Sequence, residues 1–245
     1  MNNESFWGKL KFFRYFVFHL PQIIYFNFYH FPIRQAIYLP VWIHCRNGVI
    51  HRKKFRGKYH IESNSISCGM IRIGWKQYFY HKSGVSINNQ GTIVFSGAAI
   101  ISNESVIDVR PNAILSFGKN FGASIVKIIC ANKIEFGDDN LIGINTTFMD
   151  CDFHVIYDMI SQKEIKPYAP IIIGNNNWFG FDCLILKGTK TPDNCIISAK
   201  SVLNRKYKIP ENSILGNKQN ADIIAEGYSH SQEIDSQYNE GCFVK

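Results

Sequence analysis

From Ile173 to Leu203 the apolar positions recur every six residues, through the segments IGNNNW, FGFDCL, ILKGTK, TPDNCI and ISAKSV, and the fifth place of each holds a small or polar residue. An amphipathic helix spaces its apolar residues by three and four, and a flat strand by two. A period of six predicts short strands joined by repeated corners, each hexapeptide forming one side of a triangular prism. The chain is therefore expected to be all-β and to coil as a parallel β-helix. Ile173, Phe179, Ile185, Thr191, Ile197 and Leu203 are expected to point inward and to stack about 4.8 Å apart from turn to turn. Asn177, Cys183, Thr189, Cys195 and Ser201 fill the second inward place. Gly174, Gly180, Gly188 and the run Asn175 to Asn177 fall near corners, where positive φ and side chain to backbone hydrogen bonds are favoured. Thr191 stands where isoleucine is expected and makes a weak rung.

Looser repeats extend this pattern toward the N-terminus. The stretches beginning at Met70, Gly91, Val106 and Leu115 alternate apolar residues with Gly or Asn punctuation, but their period drifts and individual rungs are not assigned. The segment from Phe6 to Trp42 is different, dense in Phe, Tyr, Trp and Ile and interrupted by Lys9, Lys11, Arg14, His19, Pro21, Asn27, His30, Pro32 and Arg34. Those interruptions make it too broken to span a bilayer. Its main expected role is to cap the open first rung; a second reading adds peripheral contact with a membrane surface, aromatic side in the headgroups and basic residues toward anionic lipid. The expected division is residues 1–60 as this aromatic and basic cap, 61–224 as the β-helix with a loop at 150–170, and 225–245 as a polar tail to which no function is assigned.

The 245 residues suffice for one enzyme-sized domain, since a coil grows along one dimension. A net charge of +8 attracts polyanions. The basic residues read as scattered, with clusters from His51 to Lys58 and from Arg205 to Lys208, and no nucleic-acid module accompanies them, so no nucleic acid is expected as partner. Seven cysteines without a C-x-x-C pair point to a reduced, cytoplasmic protein and away from zinc or a disulfide framework. No signal peptide is visible.

One short run carries candidate chemistry. In Asp150-Cys-Asp-Phe-His154 an extended backbone would turn Asp150, Asp152 and His154 to the same side. Such a trio suits a histidine base with an orienting carboxylate, Asp152 being the preferred partner, and it also suits a metal ion.

The repeat block resembles the hexapeptide-repeat acyltransferases. A second block, FGDDN from Phe136 followed by LIGINTTFMDCDFH, is similar to the galactoside and maltose O-acetyltransferase branch of that family. There a repeat strand runs into an excursion bearing the catalytic histidine and returns to an I-x-I-G-x-x-V-W-I-G rung. Here the order is kept, from Asp150 through an irregular stretch to Pro170 and then IIIGNNNWFG. The resemblance implies a left-handed coil, a homotrimer, acetyl-CoA as co-substrate with no metal required, and a hydroxyl acceptor. It implies His154 as the general base and Asn145 as a residue shaping the acceptor and thioester site, or else an ordinary corner asparagine. Trp178 is implied against the acetyl-pantetheine arm or on a trimer contact. Gly180 and Ala199 are implied to line the coenzyme groove, flanked by Ser198 and Lys200, and Asn204 and Arg205 to meet the nucleotide end. The aromatic N-terminal phrase also resembles acetyltransferases of capsule and lipopolysaccharide synthesis, which implies a glycan or lipid-linked sugar acceptor.

Phe181 and Asn177 depart from the branch pattern and would reshape the acyl pocket, and Gly216 to Asp222 keeps only the first two residues of a G-N-P-A-K signature. An O-acetyltransferase is the leading expectation. A non-catalytic assembly subunit and a module that binds anionic surfaces are the alternatives.

Overall fold

The computed structural model describes residues 6–45, 56–75, 84–154, 156–158, 163–216 and 222–226, with side chains of the first helix described from Val17 onward. Its strands form three faces that the chain visits in rotation: face 1 with nine strands, face 2 with six and face 3 with five. Pairing along each face is parallel until the last strand, Asp222–Glu226, which runs antiparallel to Ser213–Gly216. Trp178 on face 1 pairs with Ile196, and Ile196 with Ile214, so one turn is 18 residues or three hexapeptides. Upstream the turns are longer. Thr92 pairs with Ile114 across 22 residues, and Gly122 with Leu141 across 19. The extra residues lie in the corners, which is the physical origin of the drifting period.

The inward positions expected in the repeat block are all buried, from Ile173 to Leu203 in the first place and from Asn177 to Ser201 in the second. Upstream the core is aromatic. Phe95, Phe117 and Phe136 stack on face 3 with ring centroids 5.1 and 5.6 Å apart, and Phe148 meets Phe136 and Phe179 edge-on. Each fully buried phenyl ring contributes roughly 1.5–3 kcal/mol.

Corners are held by short polar side chains. Between faces 3 and 1, Asn120, Asp139, Asn176, Asn194 and Asn212 all adopt φ between +52° and +60°, a conformation that Asn and Asp tolerate better than other residues with a Cβ. Asn176 donates to Asn194 one turn above at 2.9 Å, and Asn120 to Asp139 at the same distance. Inside this corner Asn177 donates to Pro192 O and Thr191 Oγ1 and accepts from Cys195 N at 2.6 Å. Thr191 Oγ1 also accepts from Gly174 N. The supposedly weak rung is thus a polar tie between turns.

Helix α1 spans Phe6–His30 and the short α2 spans Ile33–Ala36. Ile23 and Phe26 of α1 are fully buried. Buried Asn27 accepts from Val41 N at 3.0 Å and donates to Val41 O at 2.7 Å, stapling the helix to the strand Val41–Ile43. That strand pairs with Ile71–Trp75, and Lys58–Ile61 with Thr92–Phe95, so the coil begins ahead of residue 61. His30 packs against Phe26 and Tyr59, and His44 lies 4.0 Å from His19, ring to ring. The basic cluster at 51–54 and the tail beyond 226 lie outside the described residues.

Two outcomes follow from this packing. Asn177→Ala strands buried polar groups of two turns and is expected to lower stability by roughly 2–4 kcal/mol, read as the shift of the urea midpoint. Burial pushes the His30 and His44 imidazoles down to about 4, with neighbouring His19 adding to the effect on His44. Unfolded imidazoles take up protons near ~6.5, so the unfolded state binds more protons between that value and about 4. Stability present at neutral pH is therefore expected to decline as pH falls through this interval. Thermal midpoints measured between pH 7.5 and 4.5 should show the decline, with a shallower slope in His30→Phe.

Candidate functional site

Only one interruption breaks the regular climb of the described coil. Leu141 on face 1 is followed one turn later by Trp178, a step of 37 residues where the next turn needs 18. The surplus leaves the coil at the corner between faces 2 and 3, after the strand Thr146–Met149, and returns at Ile171–Ile173. Within it Ile156–Asp158 pairs antiparallel with Lys163–Ile165, so the stretch expected to be irregular contains a hairpin.

Asp150 anchors the root of this excursion. Its side chain is fully buried, and its carboxylate accepts from Ala131 N at 2.7 Å and Asn132 N at 2.8 Å in the corner below. Its carbonyl accepts from Ala169 N at 3.0 Å, which joins the outgoing arm to the returning one. Asp152 N donates to Pro167 O at 2.7 Å, and Cys151 bridges Tyr168. The Asp152 carboxylate forms an ion pair with Lys187, whose Nζ also donates to Lys166 O at 3.0 Å. Lys187 belongs to the corner above. The excursion is thereby held from both neighbouring turns.

The expected alternation of Asp150, Asp152 and His154 does not hold. Phe153 adopts φ +60°, which ends the extended stretch and turns the chain. Asp150 faces the coil, Asp152 faces Lys187, and His154 stands exposed at the surface. Asp152 does not serve as the expected orienting partner of the imidazole, and the three side chains diverge too far to form a metal site. Among the described residues no group of three or more His, Cys, Asp or Glu is placed to hold a metal. Beside His154 the exposed Phe153 ring lies 5.8 Å from the Arg110 guanidinium, itself paired with Asp108 at 2.9 Å.

The other candidates are distributed over the coil. Asn145 occupies a corner between faces 1 and 2 with φ +60°, as its alternative reading expected. Trp178 points outward from face 1, 41% exposed. Gly180 lies in the face 1 to face 2 corner, where an added Cβ would sit 2.6 Å from Ala199 N, so the coil itself requires glycine there. Ser198 is partly buried, its Oγ 3.1 Å from Ser201 Oγ, whereas Ala199 and Lys200 are exposed. Asn204 and Arg205 are exposed in the face 2 to face 3 corner, on the same edge as the excursion and two turns above its root. Asn177 points into the core and cannot reshape an outer pocket directly, while Phe181 is 57% exposed. Residues 217–221, which include most of the altered signature, lie outside the described residues.

One protomer thus gathers His154, Lys187, Asn204 and Arg205 along one edge and Asn145, Gly180, Ala199 and Lys200 along another. Lys187 was not legible as a site residue, because it sits inside an ordinary hexapeptide and no spacing rule ties it to Asp152.

No family model matches the sequence. The chain is 31% identical over 101 residues to the galactoside O-acetyltransferase of Escherichia coli (strain K12), a match that covers 41% of this chain and 48% of that protein. It therefore spans about half the length of the curated relative it matches. Among solved structures it resembles the polySia-specific acetyltransferase NeuO, with a TM-score of 0.51 and 14% identity over 74% of this chain and 88% of that one. It is also similar to the polysialic acid O-acetyltransferase OatWY, with a TM-score of 0.41 and 19% identity over 74% of each chain. The class these observations define is the left-handed parallel β-helix of hexapeptide repeats, closed at one end by an aromatic helix and carrying one loop excursion.

Removing the clamp gives a direct outcome. Lys187→Met is expected to raise the rate of limited proteolysis within residues 151–168 about 5-fold, corresponding to ~1 kcal/mol for a partly exposed ion pair. Lys187→Arg should restore most of the protection. Equal cleavage rates in all three proteins would show that the pair does not hold the loop.

Proposed function

We propose that the chain is an acetyl-CoA-dependent O-acetyltransferase acting on a sugar hydroxyl, with His154 as general base. The observation that carries this reading is the excursion itself: in an otherwise regular coil, the one break in register presents an exposed histidine on a root anchored from above and below. Similarity to an O-acetyltransferase over the matched 101 residues supports the same chemistry.

A sugar hydroxyl is too weakly acidic to ionise unaided near neutral pH. His154 removes its proton as the oxygen attacks the thioester carbonyl, and gives the proton to the departing thiolate when the tetrahedral adduct collapses. Asp150 and Lys187 act on the position of the loop and not on the proton. Exposed cations at Lys200, Arg205, Lys206 and Lys208 suit the phosphates of the coenzyme, which is a substrate here. Division of the candidate residues between two edges of one coil supports a homotrimer, in which one edge of a subunit meets a different edge of the next. The acceptor is read as a cell-surface polysaccharide precursor or lipid-linked glycan, which agrees with cytoplasmic residence and peripheral membrane contact.

The test is CoA release from acetyl-CoA with a panel of sugar and glycolipid acceptors. Acceptor-dependent release should fall at least ~10²-fold in His154→Ala, while coenzyme binding by calorimetry is unchanged. Absence of coenzyme binding in the unmutated protein would overturn the reading.

A further inference from the structure

The outer side of α1 is as apolar as its inner side. Val17, Phe18, Ile24, Tyr25, Phe28 and Tyr29 are 42–76% exposed and recur at three- and four-residue intervals, opposite buried Ile23 and Phe26. The surface continues onto α2, where Ile33, Ile37 and Tyr38 are 51–74% exposed. Large aromatic side chains each present on the order of 150–250 Å². Nine large side chains this exposed exceed the few hundred Å² of contiguous apolar surface usual for a soluble monomer. Among the described residues no helix is long and apolar enough to cross a membrane.

Charge identifies the occupant. The cations are not scattered as they first read: from Ser5 to Ile61 the chain holds ten Lys and Arg and no Asp or Glu. The remainder carries 17 Lys and Arg against 19 Asp and Glu, so the whole positive balance belongs to the segment that contains the exposed aromatics. Arg34 on α2 is exposed between Ile33 and Ile37. Arg56 and Lys58 are exposed at the strand Lys58–Ile61, which Gln35 of α2 reaches by a 3.3 Å hydrogen bond to Ile61 O. Aromatic and aliphatic side chains flanked only by cations complement the interface of an anionic bilayer, where the rings enter the headgroup region and the cations meet lipid phosphates.

We propose that the outer face of α1 and α2 docks the N-terminal end of the coil onto an anionic phospholipid bilayer, lying in the interface without crossing it. The inference deepens the peripheral-membrane element of the proposed function and rests on it, but it is independent of acetyl transfer. A second copy of this chain is the competing occupant.

The experiment is co-sedimentation of the full chain with vesicles of phosphatidylcholine alone or mixed with phosphatidylglycerol, at low and high salt. Phe18→Ser/Phe28→Ser/Ile33→Ser is compared with each single variant, with folding checked by circular dichroism and oligomeric mass by analytical ultracentrifugation. Binding should be at least tenfold stronger to the anionic vesicles, weaken with salt, and fall at least tenfold in the folded triple variant with no change of mass. The single variants Phe18→Ser and Ile33→Ser should each show part of that loss, so the proposal is tested even where the triple variant does not fold. No binding to anionic vesicles, or undiminished binding by the folded variants, overturns it. A drop in oligomeric mass in the variants also overturns it and gives the face to a second copy. Vesicle binding is read without acetyl-CoA, so its failure and a failure of transfer are separate results.

Discussion

Each turn of the coil bonds in parallel register to the turns below and above it, so every side chain is fixed over the residue one turn earlier and a slip of one position would turn the core outward. The rest of the architecture answers to that ladder. Phenyl rings stack because register places Phe95, Phe117 and Phe136 in line. Asparagines recur at one corner because each turn must bend there through the same left-handed conformation. The excursion can leave the coil only if it returns in register, and Ile134 paired with Ile171 shows that it does.

That requirement explains why the root of the excursion is so heavily tied. A long insertion costs loop-closure entropy and separates strands that must re-pair. Asp150 offsets this by filling the corner below with its carboxylate, and Lys187 reaches down from the corner above to both arms. His154 gains a defined platform from residues that never touch a substrate. The result is a mobile-looking loop position built on rigid neighbours, which is where binding and catalytic groups are commonly placed.

The sequence was most transparent where its corners are uniform. Between Ile173 and Leu203 each corner takes the same number of residues, so period alone identifies the inward set. Upstream, corners of variable length hide an equally regular coil. Thr191 read as a defect because apolarity was the only criterion, whereas its hydroxyl ties two turns together. Alternation misplaced Asp152 because the rule assumes an extended chain, and the left-handed turn at Phe153 cannot be read from residue types. The charge of the N-terminal third was legible all along, but cluster by cluster it looked dispersed. Its meaning depended on seeing which face of α1 the core leaves uncovered.

Length in such a coil is quantised. Eighteen added residues lift everything above by about 4.8 Å and restore every face, whereas six residues rotate the upper coil by a third of a turn and leave its ladder without partners. The height of His154 above the helix-covered end can therefore change only in whole steps. Lineages that lengthen or shorten the chain below Thr146 would move the reactive edge along a ruler, keeping its orientation while altering how far a tethered substrate must reach.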